Sequence, residues 1–168
     1  MENLLLIIDM QEGFRFAESE IILPNLLKLK KSFKEKIIFS KFVNDKNSLF
    51  EKQLNWTKFQ NDGDKKLFSE LQASNNIQLE HNTYTVFNNR LKEFIKENNI
   101  TKVYLCGIYT DVCIIKTAMD LFDNSIKTFV IEDACNSLHG KKNHDSAIDS
   151  LKHILGKKQI LLTDDVCL

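Results

Sequence analysis

Proline is nearly absent from this sequence: Pro24 stands alone among 168 residues. Glycine is sparse too, with Gly13, Gly63, Gly107, Gly140 and Gly156 the five present. All five fall between periodic segments, where turns are expected. No repeat, linker or low-complexity tract interrupts the chain. Neither sign of charge is in excess. Lys+Arg and Asp+Glu number 23 each, for a net charge of zero, so nothing favours nucleic acid or an anionic membrane as a partner. The longest apolar runs, such as Leu4 to Ile8, are far too short to span a bilayer. No basic stretch precedes an apolar run at the start, which argues against a secretory signal. The four cysteines, Cys106, Cys113, Cys135 and Cys167, lack C-x-x-C spacing. They read as free thiols of a reducing compartment, so a cytoplasmic location is expected. The glycine-rich nucleotide motifs, G-x-G-x-x-G and the P-loop, are missing as well.

What is there is an ordinary globular balance, 43% hydrophobic and 27% charged, in a length that suits one domain spanning residues 1–168. Short apolar runs alternate with helical patterns. Strands are expected at 4–8, 36–40, 77–80, 103–106, 128–131 and 159–162. Helices are expected at 25–35, 65–71, 87–97, 111–122 and 144–155, with Pro24 in a first turn. The 111–122 helix is apolar on most faces and should be largely buried. Residues 44–62 read as a long loop carrying Trp56. This alternation implies parallel βαβ units with right-handed crossovers. The fold class is therefore α/β: a three-layer αβα, Rossmann-like parallel sheet of about six strands with helices on both faces. Ligands in such sheets bind beyond the carboxyl ends of the strands.

Two strand ends carry chemistry. Asp9 follows the first strand, where a carboxylate needs a partner or a role. The stretch Gly107-Ile108-Tyr109-Thr110-Asp111-Val112-Cys113 follows the fourth. Thr110 is a plausible helix N-cap, which places Cys113 among free backbone N–H groups at the positive end of the helix. They should lower the thiol pKa and could hold an oxyanion. Cys106 and Cys135 suit the plainer role of small core residues.

The fragments Leu-Ile-Ile-Asp9-Met-Gln, Tyr84-Thr85-Val86-Phe87, Leu-Cys-Gly107-Ile-Tyr-Thr-Asp-Val-Cys113, Thr117-Ala118-Met119-Asp120-Leu121 and Glu132-Asp133-Ala134-Cys135 lie in an order and spacing that resemble the isochorismatase-like cysteine hydrolases. That family includes nicotinamidases, other amidases and isochorismatases. The resemblance implies an Asp, Lys and Cys catalytic set, with Asp9 and Cys113 at two of its positions. The lysine is replaced by His81. The resemblance also implies a cis peptide joining Ile108 to Tyr109, and an oxyanion hole of the Tyr109 and Cys113 N–H groups. The expected substrate is a small amide-like molecule, attacked through a Cys113 thioester. The alternative, resting on His81, is a non-catalytic relative that binds a small molecule or a partner. No cofactor is expected. The Asp-x-His metal motif of nicotinamidases is replaced by Lys41-Phe42-Val43-Asn44-Asp45, so no zinc is expected. Phe14, Trp56, Tyr84 and Tyr109 are pocket candidates, with Tyr109 and Trp56 favoured. His139, His144 and His153 are expected to lie on the surface or in helix packing. The resemblance further implies a homo-oligomer, a dimer or larger.

Overall fold

The computed structural model describes residues 2–33, 36–72 and 77–166. Cys167 and the last two positions of the expected 25–35 helix lie outside the described residues. Six strands form one parallel sheet: β1 (Glu2–Ile8), β2 (Lys36–Phe42), β3 (Ile77–His81), β4 (Ile100–Ile108), β5 (Lys127–Asn136) and β6 (Ile160–Leu161). Their spatial order is β3-β2-β1-β4-β5-β6. The chain steps outward from β1 to β3, then returns to β4 and proceeds to the other edge. With right-handed crossovers this reversal places helices on both faces. It also opens a crevice between the adjacent carboxyl ends of β1 and β4, the switch point where such sheets hold ligands.

Leu4 to Ile8 are all fully buried, because β1 is central and covered on both faces. The helices are α1 (Ala17–Glu20), α2 (Leu23–Ser32), α3 (Leu49–Leu54), α4 (Asp62–Lys65), α5 (Asn89–Glu97), α6 (Ile115–Asp123) and α7 (Lys141–Ile154). Pro24 sits in the first turn of α2, and the Asn88 side chain caps α5 by accepting from the Leu91 N–H.

Five local expectations give way in the structure. The helix expected at 65–71 is broken after Lys65, because Leu67 makes an antiparallel bridge to Gln11 and Phe68 is drawn fully into the core. The 44–62 loop contains α3, which starts where the Ser48 hydroxyl accepts from the Glu51 N–H. The helix after β4 begins as a single π-helical turn over Thr110–Ile114 before α6 continues it. Thr110 does not cap it; its hydroxyl hydrogen-bonds His144 Nδ1 at 2.8 Å. Helix α6 is amphipathic rather than largely buried, with Met119 and Phe122 exposed.

Candidate active site

Parallel register brings four strand ends together. Ile8 pairs with Gly107 and Phe42 with His81, so Asp9, Ser40, His81 and the 107–113 turn converge beyond the sheet. Gly107 has φ +110°, and a Cβ there would collide with the Ile8 carbonyl oxygen. Only glycine lets β4 pass this close to β1. Asp9 itself adopts φ +55°, and the Ile108–Tyr109 peptide bond is cis. Gln11 locks the floor by donating to the Phe42 carbonyl at 3.0 Å and accepting from the Phe42 N–H at 2.7 Å.

Asp9 and His81 are both almost completely buried, and His81 Nε2 lies 2.8 Å from Asp9 Oδ1. The Ser40 hydroxyl accepts from the Asp9 N–H at 3.1 Å and donates to Oδ1 at 2.5 Å. On the other side of the imidazole, Nδ1 is 2.8 Å from the Thr83 carbonyl oxygen. A carbonyl oxygen only accepts, so Nδ1 carries a proton. Oδ1 also accepts from Ser40, and an ionised carboxylate has no proton to give, so Nε2 donates to it as well. With both nitrogens donating, His81 is an imidazolium paired with a carboxylate. Burial opposes that charge, but the Asp9 charge and hydrogen bond outweigh it, and the His81 pKa is raised. The second Asp9 oxygen, Oδ2, is buried with no hydrogen-bond partner among the described residues.

Cys113 is buried beside this pair. Its thiol pKa is pushed well above the ordinary value, first by burial and then by the Asp9 carboxylate; the Tyr109 N–H opposes the rise without offsetting it. This overturns the expected fall. Local helix-terminus dipoles lose to desolvation and to a nearby negative charge, so Cys113 rests as a thiol. Cys106 and Cys135 are buried free cysteines of the sheet, with thiols also raised by burial.

Cys113 borders a cavity of about 340 Å³, also lined by Phe14, Phe42, Phe50, Leu54, Trp56, Tyr84, Tyr109, Val112 and His139. The structure thus brings all four sequence-proposed aromatics to one pocket and adds Phe42 and Phe50. The rings interlock: Phe42 meets Phe50 edge-on at 5.0 Å, and Phe14 meets Tyr109 edge-on at 5.4 Å. Burial pushes the Tyr109 phenol up to about 12, so it stays neutral. Asn44 holds the Trp56 loop in place, donating to the Trp56 and Lys58 carbonyls and accepting from Ser48.

Ser40 escaped the sequence reading, although a serine inside an apolar strand was a usable signal. His139 is exposed, as expected, and it also lines the pocket, which the sequence reading did not see, because the β5–α7 connection folds over the strand ends. His144 packs against Thr110, and His153 is exposed.

The zinc ligands of nicotinamidases have no counterpart set here. Asn44 is committed to backbone carbonyls, Asp45 accepts from the Asn82 amide, and among the described residues no three His, Cys, Asp or Glu side chains group as metal ligands. These residues do not fit the metal.

Residues 3–159 match the isochorismatase domain family, and the chain belongs to that family. It is 31% identical over 97 residues to isochorismatase family protein 2A of Dictyostelium discoideum, covering 49% of this chain and 48% of that one. It is 39% identical over 62 residues to isochorismatase domain-containing protein 2 of Rattus norvegicus, covering 37% and 29%. The chain thus matches half or less of the length of these curated relatives. The fold is shared with an isochorismatase-like hydrolase from Alkaliphilus metalliredigens, at TM-score 0.87, 20% identity and 98% and 96% coverage. It is shared equally with an N-carbamoylsarcosine amidase from Thermoplasma acidophilum, at TM-score 0.87, 18% identity and 99% coverage of both chains. No described helix is long and apolar enough to cross a membrane.

Proposed function

We propose that this protein is a cysteine hydrolase acting on a small amide-like C–N substrate, with Cys113 as nucleophile, Asp9 as proton carrier and His81 as the cationic member of the set. The observation that carries this reading is the buried His81–Asp9 ion pair beside Cys113, which itself borders the aromatic cavity. A lysine stands in the equivalent place in the isochorismatase-like cysteine hydrolases. An imidazolium with both nitrogens donating supplies the same positive charge to the same carboxylate.

The resting thiol sets the order of events. Asp9 takes the Cys113 proton as the sulfur attacks the substrate carbonyl carbon, forming the C–S bond. The Tyr109 and Cys113 N–H groups hold the oxyanion of the tetrahedral intermediate. Its collapse breaks the C–N bond, and the leaving nitrogen takes the proton from Asp9. Water then gives a proton to Asp9 and attacks the thioester; the C–S bond breaks, the proton returns to sulfur, and the acid product leaves. His81 keeps its protons throughout and holds Asp9 in place. Relatives of this fold whose names specify amide or carbamoyl substrates support the substrate class.

The test is a panel of small primary amides, with ammonia release and an acyl adduct on Cys113 read by mass spectrometry. Turnover that vanishes in Cys113→Ala supports the reading. No ammonia and no adduct across the panel would sink it and favour a binding protein. His81→Lys refines the result: lost activity marks a site adapted to histidine, and gained activity marks one decayed from lysine.

A further inference from the structure

The cavity has a second polar feature that this chemistry does not use. His139 Nδ1 lies 2.7 Å from Asp111 Oδ2, and the His139 ring packs 5.0 Å from that of Tyr109. A carboxylate accepts, so Nδ1 carries the proton of this hydrogen bond, and in its neutral form the imidazole presents Nε2 as an acceptor. Nε2 makes no hydrogen bond among the described residues. The other Asp111 oxygen, Oδ1, is buried and also lacks a partner among them. Among the described residues, the cavity wall contains no lysine, arginine or carboxylate. An anionic ligand would find no lysine or arginine among these lining residues to pair with. A flat neutral body would meet stacked and edge-on rings.

From this arrangement we infer that His139, oriented by Asp111, is a specificity-determining residue: it accepts a hydrogen bond from an N–H or O–H group on a planar, uncharged amide. The inference rests on the hydrolase reading for its substrate class, but binding can be measured without turnover. Cys113→Ala protein is titrated by calorimetry with 3- and 4-hydroxybenzamide, the matching methoxybenzamides and the matching carboxybenzamides. One hydroxybenzamide is expected to bind about tenfold more tightly than its methoxy partner, the worth of one well-placed hydrogen bond. The carboxybenzamides are expected to bind most weakly. The preference should disappear when His139→Leu is added and weaken with Asp111→Asn. Equal binding of all three classes, tightest binding of a carboxylate, binding of none, or a preference lost with Tyr109→Phe instead overturns the inference. The two readings separate in the wild-type protein. A donor preference in binding without ammonia release leaves the His139 site standing and removes the hydrolase; ammonia release without the preference does the reverse.

Discussion

Two histidine–carboxylate pairs flank the same turn and behave differently. In His81–Asp9 both side chains are 1% exposed, both imidazole nitrogens donate, and a serine hydroxyl shares the carboxylate oxygen. In His139–Asp111 the side chains are 55% and 19% exposed, and among the described residues only one imidazole nitrogen is engaged. The contact distances are nearly equal, so distance does not separate them. Burial and the partner of the second nitrogen do. Removed from water, the first pair holds its charges by mutual necessity and suits proton chemistry that must be the same in every turnover. The second leaves Nε2 without a hydrogen bond among the described residues, on a side chain that lines the cavity, and suits recognition.

Several substitutions would break or sharpen that contrast. The largest effect is expected from Asp9→Asn. Steady-state kinetics should show kcat falling by about 10²–10⁴-fold, the usual worth of a positioned acid–base group. The same change removes the charge that raises the Cys113 thiol, so alkylation of Cys113, followed by peptide mass spectrometry, should begin at lower pH than in wild type. Slower turnover with an easier thiolate separates proton transfer from simple nucleophile activation. Unchanged turnover would remove Asp9 from the mechanism.

Next in size is His81→Gln. It leaves a buried carboxylate without its cation, and denaturant unfolding should show a loss of about 3–5 kcal/mol. Ser40→Ala should cost less, about 1.5–3 kcal/mol by the same measurement, because it removes one hydrogen bond to a charged group. A Ser40→Ala loss equal to that of His81→Gln would mean that the hydroxyl, rather than the imidazolium, holds Asp9.

The first pair also predicts a pH dependence. The folded-state pKa of His81 is raised above 6.5. Its contribution to stability is therefore fully present below about pH 6.5 and is lost as pH rises through the folded-state value. The stability gap between wild type and His81→Gln should be widest in mild acid and narrow toward alkaline pH; a gap that is flat with pH contradicts the imidazolium assignment. The smallest effect on stability is expected from His139→Leu, within about 0.5 kcal/mol of wild type, as at other half-exposed positions. A large loss there would make the second pair structural and erase the contrast.

Much of this molecule can be read along the chain. The alternation of apolar runs and helical periods determined a parallel α/β sheet, because side-chain period and chain direction are local properties. Asp9 stood out as a carboxylate directly after an apolar strand, and Cys113 by its spacing from the expected helix start at Thr110, both local signals. Tertiary structure decided the rest. The expected 65–71 helix yielded to a bridge between Leu67 and Gln11 that no local pattern encodes. Thr110 gave its hydroxyl to a histidine on α7 instead of the helix end. Ser40 and His81 reach Asp9, and His139 reaches the cavity, only through strand pairing and loop return. The direction of the Cys113 shift was decided there too. A helix terminus acts within one turn and can be read from spacing, whereas desolvation and the charge of Asp9 depend on what the fold packs around the sulfur.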